Sequence, residues 1–146
     1  MVNVLTLKQN EKQFYFTQSN LLTMLNSITS LGKWLFIIPF AAFGIMHFLG
    51  ADKMAGMVPI PGGAIWVYIT GLGMLAFALS VILGKMDKLA ALLLTVLLLL
   101  MVVLIHLPSV MKGDQMAMGG LLKDIGLAGG ALMYARGFAQ DSSVVG

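Results

Sequence analysis

The composition of this chain of 146 residues is that of a membrane protein. Hydrophobic residues make up 59% of it and charged residues only 10%, whereas a soluble domain carries about 25% charged residues. The net charge of +3 is spread along the chain without a basic cluster, so no nucleic-acid partner is expected. The chain has no cysteine, which excludes thiolate catalysis, thiolate zinc sites and iron–sulfur ligation by this chain alone.

Four segments are apolar enough, or nearly so, to cross a membrane as helices, which takes about 20 residues each. They are Trp34–Leu49, Ala64–Leu83, Leu89–Leu107 and Leu121–Phe138. The turn "GKMDK" between the second and third is very short, so those two helices should be antiparallel neighbours. Pro39 lies within the first span and should bend it.

A polar segment precedes the first span. In it Leu21, Leu25, Ile28 and Leu31 recur at helical spacing among Ser, Thr and Asn, which indicates an interfacial helix or an extension of the first span. We therefore expect an all-α fold, an integral membrane four-helix bundle preceded by a short interfacial N-terminal helix. Its parts would be an N-terminal polar segment (1–31), the four-helix domain (32–138) and a C-terminal tail (139–146).

The distribution of cations predicts the orientation of the spans. Six cations fall on one side of the predicted spans (Lys8, Lys12, Lys33, Lys85, Lys88 and Arg136) and three on the other (Lys53, Lys112 and Lys123). Both termini should therefore be cytoplasmic. Trp34 and Tyr134 would then mark the inner interface, and Trp66 and Tyr68 the outer one.

Small residues predict where the helices pack closely. The second span carries a stripe of Gly73, Ala76 and Ser80. The fourth carries Gly126 and Gly130 at G-x-x-x-G spacing, together with Ala128, Ala131 and Ala135. We expect the fourth helix to be a tightly packed member of the bundle.

The only two histidines hold equivalent positions, because His47 and His106 each end an apolar span. With this topology both lie at the outer end of the bundle, where Asp124 begins the fourth span and Tyr68 enters the second. Three interpretations remain open for this group: interfacial groups bonded to loops or water, a pocket exchanging protons with a redox ligand such as a quinol, or a metal site of two histidines and one carboxylate. Because these three residues come from three separate helices, their spacing in the sequence cannot be compared with that of known metal-binding motifs, so no metal is assigned.

Methionine is unusually frequent in the two outer loops. Met54, Met57, Met111, Met116 and Met118 lie there. Thioethers bind Cu(I), but methionine is also a common packing residue at interfaces, and both interpretations stay open.

Several short motifs together resemble the DoxX/DoxD-like family of small bacterial membrane proteins. In chain order they are "GIMHF", "PIPGGAIWVYITGLGML", "GKMDKLAALLL", "HLP" and "LLKDIGLAGGALM", covering most of the chain from about Gly32 to Tyr134. The resemblance implies a four-helix bundle in the bacterial inner membrane. It also implies a redox-associated, quinol-linked subunit of a respiratory or oxidoreductase complex, with a quinone as candidate ligand and other membrane subunits as partners.

One position departs from the family pattern. Members often carry a glutamate shortly after a Thr-Gly pair in the second span, but here Thr70 and Gly71 are followed by Leu72, Gly73 and Met74. The absence of this acid puts proton or quinol chemistry by this chain in doubt. The alternative is therefore a non-catalytic accessory or scaffold subunit that packs against a larger membrane complex, and whether the chain is an enzyme stays open.

Overall fold

The structure, a computed structural model, describes residues 4–145, and over this range it is helical without a β-strand. The all-α prediction is thus confirmed. The helices are α1 (Val4–Leu49), α2 (Ala51–Ala55), α3 (Gly63–Leu83), α4 (Asp87–Met101), α5 (Leu107–Met111) and α6 (Gln115–Gly137). A π-helical turn, Val102–His106, connects α4 directly to α5.

Three helical stretches are long and apolar enough to cross a membrane within the described part of the chain: Leu7–Leu49, Gly63–Leu83 and Asp87–Met111. They contain the first three predicted spans. The fourth predicted span lies in α6, which has 23 residues but is not among these three. Lys123, Asp124 and Arg136 lie in α6 and make it more polar than the others.

The chain divides into two compact units between Leu35 and Phe36. In the first unit, the described residues from position 4 onward are helical and nearly all of the described side chains are exposed. Six of its hydroxyl groups donate to carbonyl oxygens three or four residues earlier: those of Thr17, Ser19, Thr23, Ser27, Thr29 and Ser30. Such bonds satisfy a hydroxyl within its own helix. Polar residues can therefore continue the helix into the first span, and α1 runs unbroken from Val4 to Leu49.

The core of the second unit is built on aromatic edge-to-face contacts. The rings of Phe40 and Phe77 lie 5.1 Å apart between centroids, and Phe36 and Tyr134 pack on Phe77 at 5.9 and 6.2 Å. Helix α4 contacts both α3 and α6. The core also includes Ile37, Met74, Ala78, Val81, Ala91, Leu94, Leu98, Ala128, Ala131 and Ala135.

Glycines allow close approach between helices at positions that only partly match the predicted stripes. A Cβ on Gly71 would lie 3.0 Å from the carbonyl oxygen of Gly44, so α1 and α3 touch there through their backbones. Gly130 similarly faces the ring of Phe36, where a Cβ would lie 2.8 Å from the ring edge. Gly126, by contrast, has no atom within 4 Å of such a Cβ, and its predicted packing role is wrong.

The predicted stripe on α3 does not form the buried face of that helix. Gly73, Ala76 and Ser80 instead line, with α4, a groove of about 320 Å³. The buried face of α3 contains Met74, Phe77 and Val81. The stripe therefore borders a space between the two helices and does not close it.

The connection between the third and fourth predicted spans is shorter than the sequence suggested. Residues 108–120 read as a loop, yet most of them are helical in α5 and α6, and only Lys112, Gly113 and Asp114 join the two. Pro108 lies in the first turn of α5, directly after the π-helical turn. Asp114 caps α6 by accepting from the N–H groups of Met116 and Ala117 at 2.9 and 3.3 Å.

Candidate functional site

The structure brings His106 and Asp124 into direct contact. The Nε2 atom of His106 lies 3.1 Å from Oδ2 of Asp124, whose side chain is only 6% exposed. The other carboxylate oxygen, Oδ1, lies 3.2 Å from Nζ of Lys123. The oxygens of a carboxylate accept hydrogen bonds, and here each oxygen faces a nitrogen that can donate. His106 therefore carries on Nε2 the proton that it donates to Asp124.

Two features of the backbone place His106 against α6. The π-helical turn Val102–His106 inserts an extra residue into the helical repeat, and such turns occur often at functional sites. On the opposite helix, Gly120 has no side chain, and a Cβ there would fall 2.5–3.1 Å from three atoms of the His106 ring. The imidazole thus lies on the bare backbone of α6, one turn before Asp124.

His47 is fixed by its own helix. Its Nδ1–H donates to the carbonyl oxygen of Phe43 at 2.7 Å, since a carbonyl can only accept. In the neutral ring the lone pair is then on Nε2. Gly71 of α3 packs against the histidine Cβ, with only 2.8 Å to the place where a Cβ of its own would lie. This contact fixes the base of the side chain.

A cavity of about 530 Å³ in the second unit unites these groups. His47, His106, Asp124 and Lys123 all line it, and Thr70 adds a hydroxyl. The remaining lining residues are apolar, among them Phe43, Val67, Leu97, Leu100, Leu104 and Ile105. Mostly apolar walls with a few convergent polar groups are typical of small-molecule sites. Of the four residues that the sequence singled out, three therefore share one cavity.

Tyr68 lies elsewhere. Its ring packs on Phe48 with 5.5 Å between centroids, its side chain is partly exposed, and it is not among the residues that line the cavity. Trp66, two residues earlier, does line the cavity, and its Nε1–H donates to the carbonyl of Pro61 at 3.1 Å.

A second polar cluster, at the start of α4, was not anticipated. Asp87 is fully buried, and its two oxygens accept from the hydroxyl of Tyr134 and from the N–H groups of Lys88, Gln140 and Asp141 at 2.8–3.0 Å. Tyr134, predicted to mark a membrane interface, is buried in this cluster. In the sequence, the only indication of this cluster is that Asp87 lies in the tight turn "GKMDK", and an acid at that place is also common at the start of an ordinary helix.

Asp141 extends this cluster on the outside. It accepts from the side chain and backbone of Ser143 and from the N–H of Met86. These hydrogen bonds, that of the Ser143 hydroxyl above all, lower the pKa of Asp141 to about 2. The carboxylate therefore remains charged at any pH above about 3, and this end of the chain stays attached to the α3–α4 turn.

Within residues 4–145, no group of three or more His, Asp or Glu side chains has the geometry to hold a metal ion. His106 and Asp124 form a pair, and the nitrogen Nδ1 of His47 is engaged by Phe43. The sulfur atoms of methionine side chains are further potential metal ligands in the cavity.

Comparison of the chain with models of protein families, with curated proteins and with solved structures finds no match in any of the three.

Proposed function

We propose that the chain is a DoxX-like subunit of the bacterial inner membrane, a four-helix membrane bundle with both termini cytoplasmic, whose cavity binds a quinol of a respiratory or oxidoreductase complex. The observation that carries the proposal is the His106–Asp124 pair within an otherwise apolar cavity that also receives His47. A quinol has an apolar ring and tail with hydroxyl groups that donate hydrogen bonds. Its chemistry matches apolar walls with imidazole acceptors.

Proton exchange would use the same atoms. The Nε2 atom of His47 can offer its lone pair to a ligand hydroxyl, and the Asp124 carboxylate orients the His106 ring through their hydrogen bond. Lys123 keeps the local charge balanced, and its Nζ lies 4.6 Å from the centroid of the Phe43 ring. The family glutamate that this chain lacks in α3 would then be replaced by Asp124 in α6.

His106→Gln tests the role of the pair in ligand binding. Glutamine has no second ring nitrogen to accept from a quinol hydroxyl while it bonds to Asp124, and one hydrogen bond contributes about 0.5–1.5 kcal/mol, so quinol affinity should fall by up to about tenfold. Quenching of Trp66, measured in a Trp34→Phe background, reports binding because Trp66 lines the cavity. Tyr68→Phe, outside the cavity, should bind as the parent does; equal affinity of all three proteins would refute a quinol site at His106.

The membrane topology has an independent test. Residue 86 lies in the turn between α3 and α4, and residue 114 lies between α5 and α6. If α4 with its π-turn and α5 crosses the membrane, reporter fusions at these two positions should give opposite sides, with residue 86 cytoplasmic. Fusions reporting the same side would contradict the proposed topology.

The accessory-subunit function is favoured by a different observation. Phe14, Tyr15, Phe16 and Leu22 in the first unit are each more than half exposed, which is unusual for large apolar side chains in a lone protein. Other membrane subunits or lipid would cover them. Purification from native membrane distinguishes the two functions: a bound quinone supports the quinol site, whereas a stoichiometric protein partner without a quinone supports the accessory role.

A further inference from the structure

The cavity is rich in thioethers. Methionine provides five of its 21 lining residues, Met46, Met54, Met57, Met74 and Met101, although the chain has only 12 methionines among 146 residues. Packing alone does not require this, because leucine has a similar volume and a greater preference for fixed rotamers. A thioether differs from leucine chemically in one respect, which is that its sulfur is a soft metal ligand.

Three of these methionines surround the end of α1. Met46 directly precedes His47, and α2 begins two residues after α1 ends. The Sδ-methyl of Met54 reaches to 3.4 Å from the place of a Cβ on Gly50, and the N–H of Met57 donates to the carbonyl of Met54 at 3.0 Å. Met54 therefore lies beside the residue that follows α1, Met57 comes three residues later, and both line the same cavity as His47.

The hydrogen bond of His47 is the second, independent observation. A histidine that binds a metal almost always donates its other ring N–H to a carbonyl or carboxylate, which fixes the tautomer. His47 does this with Nδ1–H on the Phe43 carbonyl, leaving the Nε2 lone pair available. Met46 and Met57 are more than half exposed, so an ion has access to this end of the cavity.

We propose that His47, Met46, Met54 and Met57 form a binding site for Cu(I). Thioether and imidazole ligands without a thiolate or free carboxylate select a soft, monovalent ion over Zn²⁺ or Mg²⁺. Asp124 does not complete the set because Lys123 and His106 already occupy its oxygens. The proposal does not rest on quinol binding, since it uses other residues of the cavity.

The test is competition for Cu(I) between the purified full chain in detergent and the chelator bicinchoninate, with ascorbate keeping copper reduced. The parent protein should bind one equivalent. The double variant Met54→Leu/Met57→Leu should lose at least tenfold in affinity while its helical circular dichroism is unchanged, because Met to Leu conserves volume. X-ray absorption of the parent complex should show sulfur ligands.

Matched controls make the result decisive. Met116→Leu/Met118→Leu alters two exposed methionines at the start of α6, outside the cavity, and should bind copper as the parent does. His47→Gln should weaken binding, whereas His106→Gln should not. No binding by the parent, equal affinity of the two double variants, or loss of copper in His106→Gln alone would each overturn the proposal.

Discussion

Asp87→Ala is expected to lower the free energy of unfolding of the second unit by about 2–4 kcal/mol, because four donors lose their common acceptor inside the protein. Tyr134→Phe removes only one of these four bonds and should cost about 1 kcal/mol. The loss of stability should therefore be larger for Asp87→Ala than for Tyr134→Phe, because Asp87→Ala leaves more donor groups without an acceptor.

Unfolding of detergent-solubilised protein, followed by far-ultraviolet circular dichroism, measures both changes. Asp52→Ala is the matched control, since Asp52 is an exposed acid near the start of the short helix α2. Its unfolding should be that of the parent. If Asp87→Ala and Asp52→Ala unfolded alike, the buried carboxylate would not hold the α3–α4 turn to residues 140 and 141.

Gly120→Ala should separate His106 from Asp124. The added methyl would fall within 3.1 Å of three ring atoms, so the imidazole must move away from the backbone of α6. Overpacking of this kind costs about 1–3 kcal/mol of stability. Loss of the aligned contact should also reduce quinol affinity about tenfold, without changing any group that can bind or exchange protons.

Gly119→Ala is the matched control, since it makes the same glycine-to-alanine substitution at the neighbouring position. No atom lies within 4 Å of a Cβ at position 119, so this variant should match the parent. The readout is the set of nuclear magnetic resonance chemical shifts of the His106 ring, which should differ from the parent in Gly120→Ala and coincide with it in Gly119→Ala. Identical chemical shifts of the His106 ring in all three proteins would show that Gly120 does not position the ring.

The approximate locations of the helices could be predicted from the sequence because apolar runs of this length have few alternatives. The meeting of His106 and Asp124 could also be anticipated, since each stands at the end of a span that the alternation of spans places on one side. His47 was expected beside them on the same grounds, and it does line their cavity, although its observed hydrogen bond is to Phe43.

Other features depend on backbone detail that composition does not encode. The π-helical turn that ends at His106 has no distinctive residues, because "VVLIH" suits an α-helix equally well. Residues 115–120 contain Met and Gly typical of a loop, yet Asp114 caps a helix there. Tyr134 looked like an interfacial aromatic because the sequence does not show that Asp87, 47 residues earlier, faces it.

The separation of Asp87 from its partners has a consequence for biosynthesis. Three of its four donors come 47, 53 and 54 residues later in the chain. At about 5–20 residues per second, a ribosome needs several seconds to supply them. During that interval the charged carboxylate must stay hydrated, which keeps the start of α4 in contact with water until α6 arrives. The finished contact therefore forms only after α6 has been synthesised, and it distinguishes a completely assembled second unit from one that still lacks α6.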